Sequence, residues 1–352
     1  MDASRTERKR LWVITAIAFF AYFGLSMPYL IFPPLFLNPD YAIVPKDWDM
    51  ATRGMVLGLT LAAYPLGNFL GSPILGSLSD EVGRRRVLSW TLVMTAFSFL
   101  LTGIALEFRC VSLVILCRFL TGLMEGNIAI ARAMAADLQT ISKHRSFGRL
   151  SAFSSLAWVV GPVVGGIMVD QTLFGASSLA LPFQLCSGIF LCLAAVSHFG
   201  LERDHPKREA TQRKVLERLN LRARLSHLGQ NQTLISLFVV TTAFSLAVDM
   251  FYSFGPAYLT ARWQQGPAEL AYYNGVLCFA LLVGSGVLNS MLATRWSNRS
   301  VLLRSMPIYC VSMCIIACVS DLRIAALLLV STGLSIGIVT TNLTVQVSDA
   351  AH

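Results

Sequence analysis

One stretch of the chain reads Gly76-Ser77-Leu78-Ser79-Asp80-Glu81-Val82-Gly83-Arg84-Arg85-Arg86-Val87-Leu88, and it joins the ends of two long uncharged runs, 54–79 and 87–106. Each run is long enough for an α-helix to cross a hydrocarbon layer about 30 Å thick, which takes roughly 20 residues. The three consecutive arginines between the runs are typical of a loop on the cytoplasmic side of a membrane. The sequence therefore predicts two membrane-spanning helices joined by a short cytoplasmic loop.

The rest of the chain repeats this pattern of apolar runs. Of the 352 residues 55% are apolar and only 13% are charged, against about 25% charged in an ordinary soluble domain. A soluble enzyme, a disordered chain and a disulfide scaffold are therefore poor fits. The predicted fold class is an all-α polytopic membrane protein. Its ten predicted spans are 11–36, 54–79, 87–106, 110–131, 150–169, 178–197, 232–259, 270–294, 301–320 and 324–348.

The basic residues predict the orientation of these spans. If the N-terminus is cytoplasmic, 22 of the 28 Lys and Arg residues fall in cytoplasmic segments, as expected for a multi-pass protein of the inner or plasma membrane. The net charge of +9 then reflects orientation toward anionic membrane lipid. It does not indicate a nucleic-acid partner.

Two halves of unequal length are predicted: a six-helix bundle over 1–200 and a four-helix bundle over 232–352, joined by a basic cytoplasmic linker over 201–231. The loop after helix 8, residues 292–302, aligns without gaps to residues 78–88. Internal repeats of this kind are typical of secondary transporters. The repeat leads us to expect six helices in each half, and it therefore predicts that the second bundle is truncated after its fourth helix.

The stretch quoted first resembles the cytoplasmic loop signature of the major facilitator superfamily, G-x-L-x-D-x-x-G-R-[KR], at every defined position. Gly76 is expected to allow close helix approach and Gly83 a tight turn. Asp80 can cap or pair at a helix end, and Asp137 is an expected partner of Arg84. In the family this loop acts as a gate that opens and closes during alternating access.

Helix 4 contains Arg118-Phe-Leu-Thr-Gly122-Leu-Met-Glu125-Gly126, which resembles the family's R-x-x-x-G-x-x-x-G pattern. The resemblance assigns Arg118 to the coupling of proton transfer with substrate movement. Glu125 lies outside the family's pattern; its spacing places it on nearly the same face as Arg118, too far away for a simple direct bond. The alternative is that the two residues only fix helix packing.

Helix 5 contains Ala157-Trp-Val-Val-Gly161-Pro162-Val-Val-Gly165-Gly166, which resembles the antiporter motif G-x-x-x-G-P-x-x-G-G with Ala157 in place of the first glycine. Pro162 is expected to bend the helix, and the glycines at 161, 165 and 166 allow tight contact with a neighbour. This motif favours the drug:H⁺ antiporter branch, whose familiar members are tetracycline and multidrug efflux pumps.

Asp249 is the acidic residue predicted deep in the second bundle, as a proton or cation site or as a hydrogen-bonding residue between helices. The candidate cavity residues are Tyr22, Asn127, Tyr252 and Asn342. We expect no enzyme activity, since no nucleophile–base pair or metal cluster emerges. No cofactor is expected either, because no phosphate-binding loop suggests ATP, and a proton gradient is the predicted energy source.

The predicted function is proton-coupled efflux of a small compound by alternating access. The predicted partners are a small-molecule substrate, protons and membrane lipid, with the chain acting as a monomer. One alternative is proton-linked uptake of a nutrient by the same fold. Another is a truncated product that does not transport, which the short second half suggests.

Overall fold

The computed structural model describes residues 2–39, 43–45, 47–138, 141, 143–169, 179–201 and 232–350. All regular structure in these ranges is helical. Ten helical segments are long and apolar enough to cross a membrane, which confirms the predicted number. They are Thr6–Leu37, Met50–Val82, Arg84–Glu107, Val111–Ala136, Ser146–Val169, Leu181–Gly200, Ile235–Trp263, Pro267–Leu292, Asn298–Cys318 and Leu322–Val347.

The spans divide into two compact units, the first with six spans and the second with four. The helices of the first unit are α1 (Asp2–Ser26), α2 (Pro28–Leu37), α3 (Met50–Val82), α4 (Arg84–Glu107), α5 (Val111–Met124), α6 (Gly126–Ala136), α7 (Lys143–Val169) and α8 (Leu181–Gly200). Those of the second are α9 (Gln232–Trp263), α10 (Pro267–Val283), a π-helical turn (Gly284–Leu288), α11 (Asn289–Ala293), α12 (Asn298–Cys318) and α13 (Leu322–Ala350). The predicted linker, apart from Leu201, lies outside the described residues.

Close helix pairs build the first unit: α3 packs along α5, α4 along α8 and α1 along α7. The approach of α3 to α5 depends on small residues. A Cβ atom added at Gly122 of α5 would lie 2.9 Å from the carbonyl carbon of Tyr64 and 3.0 Å from the amide nitrogen of Asn68. Without a driving force from water, such backbone proximity is a main source of helix association in a membrane.

The same close contact recurs in the second unit. A Cβ atom at Gly337 of α13 would lie 2.7 Å from the amide nitrogen of Ser285 and closer still to the carbonyl oxygen of Leu281. These residues correspond to Gly122, Asn68 and Tyr64 of the first unit. The same pair of spans is therefore in close contact in both units, although relative to the loop alignment the second and eighth spans match only after a shift of three residues and the fourth and tenth after a shift of one.

Three of the spans are not continuous α-helices. The first breaks at Met27, before Pro28, and the fourth breaks at Glu125, where ψ is 9°. The eighth contains the π-helical turn beside Asn289. Prolines, glycines and π-turns are the usual causes of such breaks, and π-turns often lie at functional sites.

Candidate functional site

A buried arginine lies in the first third of the fourth span. Arg118 is 1% exposed and the largest of the fully buried side chains. Its Cζ atom is 4.8 Å from the ring centroid of Tyr64 and 5.6 Å from that of Phe32. None of its three guanidinium nitrogens has a hydrogen-bond partner among the described residues. The two ring faces therefore contact the guanidinium directly, an attraction of about 2 kcal/mol in a dry site.

Glu125 lies on the same side of the unit, at the break between α5 and α6, and is 2% exposed. No ion pair joins it to Arg118 within the described ranges, as its spacing predicts. Tyr64 is a neighbour of both: its ring faces Arg118, and its buried hydroxyl, which has no hydrogen-bond partner among the described residues, lies within electrostatic range of the Glu125 carboxylate. Arg118, Tyr64 and Glu125 are called the buried triad below.

The helix break has a local cause in the hydrogen bonds around Glu125. Its amide donates to the carbonyl of Gly122, three residues back, at 3.1 Å, and its own carbonyl accepts from Ile128, three residues ahead, at 3.3 Å. The tighter i→i+3 spacing turns the chain, and Gly126 lets it do so against Leu75 of α3. The break thus holds an acidic side chain at a point where the helix can bend.

Polar groups continue from the triad along the first unit. Arg132 donates a hydrogen bond of 2.7 Å from Nη2 to the hydroxyl of Tyr22, one of the predicted cavity residues. Asn127, another of them, is fully buried, and neither amide atom has a hydrogen-bond partner in the described part of the chain. Buried polar atoms in native proteins almost always have partners, so this set can receive a ligand, water or a proton.

The loop between the second and third spans turns at Gly83, whose φ of 106° favours glycine. Arg84 pairs with Asp80 at 3.1 Å and also with Asp137, which follows α6. Asp137 thus links the start of α4 to the end of α6. The close helix approach predicted at Gly76 is wrong, because a Cβ atom there would meet nothing within 4 Å. The close approach occurs earlier on α3, where Gly67 and Gly71 face α5.

The antiporter-like motif of α7 lies against the break in the first span. Cβ atoms at Gly161 and Gly165 would collide with Ser26 and Met27 respectively. The Ser26 hydroxyl donates to the carbonyl of Ala157 at 3.3 Å. Pro162 and Gly166 are buried in the same helix. The motif therefore holds α7 against the residue where α1 ends and α2 begins.

The candidate residues of the second unit do not form a comparable cluster. Asp249 was predicted deep in the bundle, but it lies on an exposed face of α9. The reason is helical geometry: its neighbour Val248 takes the inward position, and adjacent residues point about 100° apart. Tyr252 packs at the edge of the apolar core. Asn342 is buried and donates from Nδ2 to Asn289 Oδ1 at 2.5 Å and to the Ile338 carbonyl at 2.8 Å. It therefore joins two helices.

Comparison with known protein families identifies the family of this helical chain. The model of the Major Facilitator Superfamily matches residues 14–352. The chain belongs to the major facilitator superfamily. This membership, together with the ten apolar helices, makes it a multi-pass membrane protein.

Several curated relatives in this superfamily are named for drug resistance. The chain is 33% identical over 159 residues to the tetracycline resistance protein, class C, of Escherichia coli, covering 43% of this chain and 38% of that one. It is 27% identical to the multidrug transporter mfsB of Aspergillus fumigatus, covering 53% and 32%. It is 22% identical to the quinolone resistance protein NorA of Staphylococcus aureus, covering 75% and 62%. The chain thus spans about one third to three fifths of the length of these relatives, none of which is named as an enzyme.

Solved structures of the superfamily share the fold across nearly the whole chain. The human organic anion transporter MFSD10 matches with a TM-score of 0.63 at 18% identity, covering 98% of this chain and 86% of that one. The nucleoside transporter NupG matches with a TM-score of 0.67 at 11% identity, covering 96% and 81%. At these identities the likeness concerns the fold alone.

Sequence reasoning missed Tyr64 as the residue between Arg118 and Glu125. Tyr64 lies in the Tyr64-Pro65-Leu66-Gly67 segment of α3, on a different helix, and a single sequence carries no signal for contacts across helices. The one hint in the sequence was Gly67, because a glycine in a span, having no side chain, predicts that α3 packs closely against another helix.

Proposed function

We propose that the chain is a proton-coupled exporter of small drug-like compounds that works by alternating access. The single observation that carries this proposal is the buried triad of the first unit. Placing an arginine in a membrane span costs several kcal/mol unless the guanidinium is paired or belongs to a functional site. Arg118 is buried with ring faces as neighbours and no ion pair in the described ranges, an arrangement that suits a working site better than a packing device.

Glu125 is the proton site in this proposal. Its carboxylate and the Arg118 guanidinium attract each other across Tyr64 in a poorly hydrated interior, where charges interact more strongly than in water. The deprotonated carboxylate binds a donor or cationic group of the substrate next to Arg118, and a proton on Glu125 removes that acceptor. Proton and substrate then compete for the Glu125 carboxylate, as antiport requires. The helix break at Glu125 lets the side chain move between the two arrangements.

Two further features support export and a gate. The segment Ala157–Gly166 resembles the antiporter motif, and it holds α7 against the break at Met27. Several relatives are named for resistance to tetracycline, quinolones or multiple drugs. Arg84 ties the start of α4 to Asp137 at the end of α6, and we propose that this contact opens and closes with alternating access. Asp249, on its exposed face of α9, is a second candidate for proton binding. The protein acts as a monomer in the cytoplasmic membrane, with its N-terminus inside.

A substrate panel separates export from uptake. Cells that express the chain are loaded with labelled tetracycline, norfloxacin or ethidium, with the proton gradient intact or collapsed by an uncoupler. The expected result is lower internal label than in cells without the chain, and loss of the difference on uncoupling. Higher internal label would indicate uptake and contradict the proposal. A difference that survives uncoupling would contradict proton coupling.

A further inference from the structure

A groove runs between α4 and α8 on the surface of the first unit, next to the loop that contains the three arginines. The two helices are antiparallel, and a hydrogen bond of 3.2 Å between the hydroxyls of Ser89 and Ser197 fixes their register. Arg86 therefore lies across from His198 at one end of the groove. Val93 lies across from Leu191 about 10 Å further along, since each helical residue rises about 1.5 Å.

The three consecutive arginines differ in their partners, and this difference singles out Arg86. Arg84 pairs with two carboxylates, Asp80 and Asp137. Arg85 donates from Nη1 to the carbonyl of Leu201 at 3.0 Å, at the end of α8. Arg86 is exposed and pairs with no carboxylate in the part of the chain that the structure describes. Its charge is thus available at the mouth of the groove.

The walls of the groove change character along its length. Arg86 and His198 form a basic end. Beyond them the exposed side chains are apolar: Trp90 is 62% exposed, Leu191 50% and Val93 38%. Ser89 and Ser197 bond each other, so neither hydroxyl is left unpaired in the wall. A basic end followed by an apolar channel is complementary to a molecule with a phosphate at one end and a hydrocarbon chain behind it. Tryptophan at that junction is typical of the membrane interface.

We propose that this groove binds one acidic phospholipid, with its phosphate at Arg86 and His198 and one acyl chain along Trp90, Val93 and Leu191. The inference uses the predicted orientation, which places the basic end at the anionic cytoplasmic leaflet. It does not depend on the proposed transport activity. The lipid would lie against the loop that holds Arg84, and so next to the proposed gate.

Native mass spectrometry of the full chain in detergent tests this proposal with phosphatidylglycerol and phosphatidylcholine of identical acyl chains. We expect one phosphatidylglycerol to bind in preference to phosphatidylcholine. Arg86→Gln should lower that preference about fivefold, the effect of one basic residue near a charged headgroup. Arg299→Gln is the matched control, because Arg299 is an exposed arginine in the corresponding loop of the second unit. It should leave the preference unchanged.

A second variant and two further measurements test the apolar part and the occupant. Ala195 also lines the groove, and Ala195→Trp, which narrows the groove without altering charge, should weaken phosphatidylglycerol binding as well. A photoreactive residue at position 93 should crosslink to lipid in vesicles. Equal binding of the two lipids, or equal losses in Arg86→Gln and Arg299→Gln, would overturn the proposal. So would displacement of the lipid by millimolar inorganic phosphate, which would indicate a site for a soluble anion, or a crosslink to residues 202–231 in place of lipid.

Discussion

The contact between α3 and α5 gives a stability prediction that also tests how the triad is held. Gly122→Ala adds one methyl group to α5 at the point where it crosses Tyr64. That methyl carbon would lie 2.9 Å from the Tyr64 carbonyl carbon and nearer still to its oxygen, whereas real Cβ atoms essentially never come within 3.0 Å of such neighbours. Because the obstacle is backbone, no rotamer change relieves the clash, and the two helices must separate.

The size of the effect follows from a matched variant on the same helix pair. Gly76→Ala adds the same methyl group to α3, where it meets nothing within 4 Å. Replacing glycine by alanine inside a helix is worth about 0.5–1 kcal/mol, and both variants gain it. Overpacking a close contact costs about 1–3 kcal/mol, and only Gly122→Ala pays that cost. The difference between the two variants is therefore the steric cost alone, about 1–3 kcal/mol.

Thermal unfolding of the detergent-purified protein measures this difference. We expect Gly76→Ala to unfold at or above the wild-type temperature and Gly122→Ala below it. Gly122→Ala should also reduce transport at temperatures where it is folded, because Tyr64 must shift away from Arg118 and Glu125. Equal unfolding temperatures for the two alanine variants would refute the reasoning, since the two positions differ only in what the methyl group meets.

Two smaller changes test the loop and a helix end. Asp137→Asn should remove the link between Arg84 and α6, lower the free energy of unfolding by less than about 1 kcal/mol because the pair is partly exposed, and slow transport. Asp137→Glu should restore both the stability and the transport rate, which thermal unfolding and transport assays measure. A transport rate unchanged in Asp137→Asn would contradict a gating role. The Thr52 hydroxyl and amide bond the Asp49 carboxylate, which caps α3 and lies outside the spans, and these bonds lower the pKa of Asp49. A lowered pKa in the folded state means that the stabilisation is present above the ordinary carboxyl pKa and is lost as the pH falls through the lowered value. Asp49→Ala should therefore unfold at a lower temperature than wild type at pH 7, and this difference should close in strong acid, whereas Asp49→Ser should unfold above Asp49→Ala at both pH values because its hydroxyl also caps the helix. A difference between wild type and Asp49→Ala that is independent of pH would exclude the charged cap.

The spans were predictable because a membrane-spanning helix needs only a long enough uncharged run of residues, which the sequence shows directly. An uncharged run of about 20 residues satisfies the bilayer wherever its neighbours lie, and all ten predicted runs appear as helices. The turn at Gly83 was predictable for a similar reason, since the need for a positive φ is local to one residue. Such features depend on the chain alone and not on its neighbours.

The side-chain contacts were less predictable because they depend on which helices meet. Gly76 carries the motif, yet the close contacts of α3 with α5 involve Gly67 and Gly71. Tyr64 belongs to α3, and sequence spacing could not place α3 beside α5. Asp249 was expected inside because it is a rare acid in a span, but Val248 beside it faces the core. A count of charges cannot distinguish these faces of one helix.

Substrate-driven proton flux is the most direct measure of whether the buried triad couples transport to protons. Purified protein is reconstituted into vesicles with an acidic lumen and a pH-sensitive dye, and substrate is then added outside. Wild-type protein and the control Glu107→Gln, which removes an exposed carboxylate at the end of α4, should both raise the luminal pH on substrate addition. Glu125→Gln should release no protons when substrate is added. Proton release from Glu125→Gln equal to that of wild type would contradict the assignment of Glu125 as the proton site.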